Sequence, residues 1–165
     1  MLAKRRSFLR AFQEQLRQGE VVKHYLALVA GAWQGGRQTV KAPLRKNLLR
    51  GGERMVSVDE SGKPAISVFK PLTCFNTATL VEVELKTGRT HQIRVHGAHI
   101  GHPLAGDEKY GDPGFNLFMK RLGLRRMLLH AHYLEFADTV AGEKITVSAP
   151  LDDELKAVID RLESP

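Results

Sequence analysis

The sequence predicts an α+β domain with a mixed, mostly antiparallel sheet and flanking helices, and three observations carry that prediction. A helical apolar stripe occurs near each end of the chain, short β-branched and apolar runs lie between them, and turn residues punctuate those runs. There is no internal repeat, low-complexity tract or linker, so the 165 residues read as one folding unit.

Taken in order, Ser7 to Leu16 is expected to be helical, because Phe8, Ala11, Phe12, Gln15 and Leu16 recur at helical spacing while Arg10, Glu14 and Arg17 face away. Gly19 is its stop. Val21 to Val29 is β-branched and aromatic enough to be a largely buried strand, closed by Gly31, Gly35 and Gly36. Lys41 to Arg54 holds Pro43, Gly51, Gly52 and five cations without clean periodicity, and is read as a basic surface loop. Met55 to Val58, Ala65 to Leu72 and Thr77 to Lys86 follow as short strands, the last alternating through Thr79, Val81, Val83 and Leu85. Leu128 to Phe136 and Lys144 to Ser148 flank a turn-rich segment and suggest a hairpin. A final helix follows Pro150, with Asp152, Asp153 and Glu154 at its positive end and Leu155, Val158, Ile159 and Leu162 on its apolar face.

Composition narrows the function classes. No apolar run approaches the roughly 18 residues that a bilayer span requires, and no signal-peptide pattern follows Met1, so neither membrane insertion nor secretion is indicated. The single cysteine, Cys74, excludes an internal disulfide framework, points to the reducing cytoplasm and is expected to be a small buried apolar residue. The net charge of +7 is unevenly placed. Residues 1–54 hold 12 Lys and Arg against three acids, a net +9, whereas residues 55–165 hold 13 against 15, a net −2. Such a concentrated positive field attracts a polyanion, and nucleic acid is the leading partner class against the alternative of a merely solvated basic face.

The densest polar cluster, Gly88 to Pro103, directly follows a predicted strand. A helix from His91 onward would bring Arg89, His91 and Arg94 together at the strand end and set His91, Val95 and His99 on one face. Four histidines in twelve residues invite a metal reading, but no carboxylate or thiolate lies between Lys86 and Asp107, and phosphate contact or hydrogen-bonded packing is favoured. The sequence has no Gly-x-Ser-x-Gly elbow, Walker loop or Gly-x-Gly-x-x-Gly turn.

Three stretches, Lys23 to Val29, Thr87 to His96 and Gly101 to Gly111, together resemble the RluA family of RNA pseudouridine synthases. Glu14 to Arg17, Ala42 to Asn47, Gly52 to Arg54 and Gly62 to Pro64 are most similar to its branch acting on the ribosomal large subunit. The resemblance runs from Ala3 to the final helix. It implies a pseudouridine synthase fold and conversion of specific uridines to pseudouridine in large-subunit ribosomal RNA without a cofactor. In that reaction the target nucleotide is flipped out, its glycosidic bond is broken, and the uracil rejoins the ribose through carbon. Carried over by position, Tyr25 is the active-site tyrosine, which stacks on the base and is a candidate for proton abstraction. Arg94 is the arginine that pairs with the catalytic aspartate, and Leu26 and Ile93 are apolar positions near the pocket. Physical logic agrees: a flipped base needs an aromatic platform, and a cation keeps a carboxylate ionised. Lys41, Arg45, Lys46, Arg50, Arg54, Arg89 and His91 are expected to contact RNA.

One departure stands out, because the family's nucleophilic aspartate belongs to a His-Arg-Leu-Asp-Arg-type motif that this sequence lacks. The resemblance places that motif just before Met1, so residues 1–165 read as the carboxy-terminal portion of a larger catalytic domain. The small amino-terminal RNA-binding domain of many members has no counterpart in them either. Asp59, Asp107 and Asp112 do not fit the nucleophile's place. The expectation is an isolated chain that is inactive and marginally stable or self-associating, because unpaired strand edges are left open. A non-catalytic RNA-binding module is the alternative, and a metalloprotein using His91, His96, His99 and His102 is a distant third.

Overall fold

The computed structural model describes residues 5–48, 54–138 and 142–163. Helix α1 (Arg6–Gln18) ends on Gly19, whose left-handed backbone closes the last turn. Twelve elements follow one another as α1, β1 (Val22–Ala30), β2 (Gln38–Lys41), β3 (Leu44–Leu48), β4 (Arg54–Val58), β5 (Ile66–Cys74), β6 (Ala78–Leu85), α2 (Gln92–His99), α3 (Pro113–Arg121), β7 (Leu129–Ala137), β8 (Lys144–Ser148) and α4 (Asp153–Glu163). Six strands form one sheet in the order β2-β5-β6-β1-β7-β8, with every neighbouring pair antiparallel. β3 and β4 pair as a separate antiparallel arm. The architecture is therefore the mixed α+β, mainly antiparallel fold that the sequence predicts.

β1 occupies the middle because its residues can be buried on both faces. Ala27 and Val29 pack with Val81, Val83 and Phe69 beneath Ile93 of α2, while Leu28 packs with Ala78, Met119 of α3 and Leu155 of α4. Full burial of a side chain such as Leu28 contributes about 1.5–3 kcal/mol. Helix α2 comes close to the sheet because Gly97 has no Cβ; one there would lie 2.8 Å from both His102 O and Leu104 Cδ1. Helix α1 sets Phe8 and Phe12 edge-on against Phe136, and the buried Gln15 exchanges hydrogen bonds with the Ala137 backbone.

Three sequence expectations need correction. The basic loop expected over Lys41 to Arg54 is strand at both ends: Lys41 closes β2, and β3 pairs with β4 from Leu44 opposite Val58 to Leu48 opposite Arg54. Leu44 and Val56 bury one face of this arm against Ala65 and Val95, an alternation obscured by the run of cations on its other positions. Cys74 is exposed rather than buried, because the register shift between Pro71 and Thr73 ends the regular alternation of β5. Finally, β2 and α3 were not expected. Helix α3 nonetheless carries a start signal, with Asp112 Oδ1 accepting from the Phe115 amide at 2.6 Å and Pro113 in the first turn.

Candidate active site and nucleic-acid interface

Arg94 projects from the first turn of α2 into a closed electrostatic unit. Its Nε and Nη2 each donate to one oxygen of Asp107 at 2.7 Å, a bidentate pair in which the Asp107 side chain is 0% and the Arg94 side chain 17% exposed. Asp107 Oδ1 also accepts from the Lys109 and Tyr110 amides at 2.9 and 3.0 Å. Burial alone pushes the carboxyl up, but Arg94 and these amides outweigh it and hold Asp107 below the usual carboxylate range. Asp107 in turn holds the Arg94 guanidinium charged, despite its burial. The turn is fixed from behind by Asn116, which accepts from the Gly106 amide and donates to the Asp107 carbonyl. Gly106 takes φ +74°, and a Cβ there would meet Arg126 O at 2.8 Å, so no larger residue fits this bend.

The Arg94 guanidinium carbon stands 4.8 Å from the centroid of the Tyr110 ring, which orients its remaining N–H groups. Tyr110 Oη accepts from the Val56 amide at 2.9 Å and lies 3.0 Å from His91 Nδ1. We assign Tyr110 Oη as the donor and His91 Nδ1 as the acceptor, which places the proton of the neutral ring on Nε2. Among the described residues, His91 is the non-glycine residue held at positive φ, 54°, immediately before α2. Burial, then Arg94 and Lys109, push its imidazole below the ordinary value against the opposing pull of Asp107, keeping it neutral near pH 7.

Beside this unit opens a cleft of about 380 Å³ whose walls include Arg45, Lys46, Lys63, Arg89 and Thr90. Lys63 is brought there by mutual backbone bonds with Leu44, both 2.9 Å. Arg45 is steadied by Asp59 at 3.2 Å and Asn47 at 3.1 Å, and Arg89 Nε donates to the Pro64 carbonyl at 3.1 Å. Lys46 and Lys63 have no ion-pair partner among the described residues, so the cleft keeps free positive charge. Lys41 is exposed at the end of β2 and does not line it. Arg50 and the Arg54 side chain lie outside the described residues.

Tyr25 sits on β1 between Val83 and Ala131, where the β1–β7 register shifts, and lines a mostly apolar groove of about 520 Å³ with Lys23, Ala131, Tyr133 and Val147. It packs on the same buried cluster as Ile93, the neighbour of Arg94 on α2. Leu26, the next residue of β1, is buried on the opposite face. Thus the structure brings Tyr25, Ile93 and Arg94 to one side of the sheet, with Arg45, Lys46, Arg89 and His91 around the neighbouring cleft. The carboxylate that Arg94 meets in this chain is Asp107, which is too enclosed to reach a ligand. Three of the four clustered histidines have separate partners: His91 meets Tyr110, His96 bridges Ser67 Oγ and the Ala42 carbonyl, both 2.9 Å, and His102 Nδ1 contacts the Ala30 carbonyl at 2.7 Å, while His99 is exposed.

Sequence reasoning missed Tyr110, Lys63 and Lys23 as contributors. Lys23 Nζ lies beside Gly88, 3.8 Å from where a Cβ would stand, and burial pushes its ammonium down. Its signal was proximity to Tyr25 at two-residue strand spacing, which puts both on one face.

A family model described as RNA pseudouridylate synthase matches residues 1–99, and the chain belongs to that family. It is 48% identical over 162 residues to the ribosomal large subunit pseudouridine synthase C of Haemophilus ducreyi, covering 98% of this chain and 51% of the relative. The enzyme of the same name from Escherichia coli O157:H7 is 47% identical over 164 residues, again covering 98% of this chain and 51% of the relative. The chain therefore spans about half the length of these curated relatives. Among solved structures, human RNA pseudouridylate synthase domain containing 1 superposes with a TM-score of 0.78 at 26% identity, over 99% of this chain and 74% of that one. Human RNA pseudouridylate synthase domain containing 4 shares the fold, with a TM-score of 0.76 at 23% identity, over 96% of this chain and 69% of that one.

Proposed function

We propose that the whole protein isomerises specific uridines of large-subunit ribosomal RNA to pseudouridine, and that this chain supplies the base platform, the catalytic cation and much of the RNA surface. The observation that carries the reading is the enclosed Arg94–Asp107 pair, facing the side of the sheet that also bears Tyr25 and flanked by a basic cleft. The bond from ribose C1′ to uracil N1 breaks, a bond from C1′ to C5 forms, and the C5 proton is lost as N1 gains one, so the reaction needs no net co-reactant. In this scheme Tyr25 stacks on the flipped base and stands ready to take the C5 proton. Arg94, its lower edge fixed by Asp107, offers its remaining N–H groups to the nucleophilic carboxylate and holds it ionised.

That carboxylate comes from the His-Arg-Leu-Asp-Arg-type motif, which is not among residues 1–165. We accordingly propose that the isolated chain binds RNA without turnover. Arg45, Lys46, Lys63, Arg89 and the neutral His91 donor contact the backbone beside the target. Incubating the whole protein and the 165-residue chain with large-subunit transcripts, followed by carbodiimide mapping, tests both statements. Pseudouridine from the whole protein alone is expected; turnover by the isolated chain contradicts the second statement, and none from either contradicts the first.

A further inference from the structure

A second positive surface lies outside the basic first third of the chain. Residues 115–127 contain Lys120, Arg121, Arg125 and Arg126 and no acidic residue, an island within a stretch of net −2. In the fold these side chains gather where α3 ends and are joined by Arg161 of α4, whose Nη1 donates to the Leu122 carbonyl at 2.7 Å. Lys120, Arg125 and Arg126 line a cleft of about 450 Å³ with Gly106, Asn116 and Glu108. Arg126 pairs with Asp152, whereas Lys120, Arg121 and Arg125 have no ion-pair partner among the described residues. A helix C-terminus carries only about half a negative charge, which Arg161 already serves, so capping does not explain this many cations.

Two features of the surroundings identify the occupant. Gly106, in the wall of this cleft, belongs to the same turn whose Asp107 side chain grips Arg94, so the cleft and the candidate active site share one bend. On α3 itself, outside the cleft, Leu117 and Phe118 are 55% and 39% exposed, and Phe118 stands three residues before Arg121 on the helix, a pairing of ring and charge suited to an unstacked base and its phosphate. A nucleotide flipped into a pocket requires the strand on each side of it to be held. We infer that the α3 surface, through Lys120, Arg121, Arg125 and Phe118, binds the RNA backbone on the side of the target opposite the Arg45–Arg89 cleft. This rests on the RNA reading above and extends it to a second contact surface.

The test uses the 165-residue chain and a fluorescently labelled fragment of large-subunit ribosomal RNA, with affinity measured across a KCl series. The double variant Lys120→Gln/Arg125→Gln replaces exposed, unpaired side chains and is expected to melt like the parent. The slope of log affinity against log salt should flatten by roughly 2, because two phosphate contacts are lost. Phe118→Ala should weaken binding about fivefold or more at an unchanged slope. Lys70→Gln, in a separate cleft with Glu82 and Glu84, controls for loss of net charge and should behave like the parent. A parental slope in the double variant overturns the inference and leaves the patch to an acidic protein. So does an equal loss in Lys70→Gln. If the parent itself shows no salt-sensitive RNA binding, the RNA reading fails together with this inference.

Discussion

Asp107 shows how much a single buried charge can control. Because Asp107→Asn keeps the shape but removes the counter-charge, it leaves the half-buried Arg94 uncompensated, and a loss of about 3–5 kcal/mol in a urea titration is expected. Asp107 was visible in the sequence within the Gly101 to Gly111 stretch, yet its partner was not, since nothing in a 13-residue separation says that the turn after α2 folds back onto it. Tyr25 and Arg94 were found only because the family resemblance named them; period and spacing alone allow both to be ordinary packing residues. His96 gives a second test at this scale. It is fully buried, and burial lowers its folded pKa below the ordinary 6.5, so the unfolded chain takes up a proton that the folded chain refuses. Stability should therefore be unaffected above 6.5 and fall as the pH drops below it, toward the lower folded value. His91 shifts in the same direction and adds to the slope. Thermal melts that are flat through this range would contradict the assignment.

Among the elements, the β3–β4 arm carries the basic cleft, and a single hydroxyl ties it to the turn that holds Arg94. Tyr110→Phe removes the acceptor of the Val56 amide and the donor to His91, so faster hydrogen exchange at Val56 and a loss of about 1 kcal/mol are expected. Unchanged exchange at that amide would show the arm to be held by its apolar face alone. This arm was the main misreading, and for a physical reason: its apolar face is short, with Leu44 and Val56 in the buried cluster and Val58 packed against it, while Arg45, Lys46, Asn47 and Ser57 are basic or polar. The long strands were legible because Ala27, Val29, Val81 and Val83 repeat at period two on a fully buried face. Helix α3 was overlooked although its cap was in plain sight, because Leu117 and Phe118 face outward and break the expected stripe.

For the molecule as a whole, the two ends of the sheet are β2 and β8. β8 leaves Val147 48% exposed along an outer strand that has no partner on its far side among the described residues. The isolated chain is expected to associate with itself along this edge, so sedimentation should show a concentration-dependent mass; a monodisperse monomer with a cooperative melt would argue against it. The central position of β1 has a different consequence, one of timing. β1 needs β6 and β7 as neighbours, and β7 ends at Ala137, more than a hundred residues after Ala30. At roughly 5–20 residues per second, translation leaves this apolar strand without its second neighbour for about 5–20 s. During that interval Leu26 to Val29 stay open to association with other chains, so the strand most deeply buried in the finished protein is the one most at risk while it is being made.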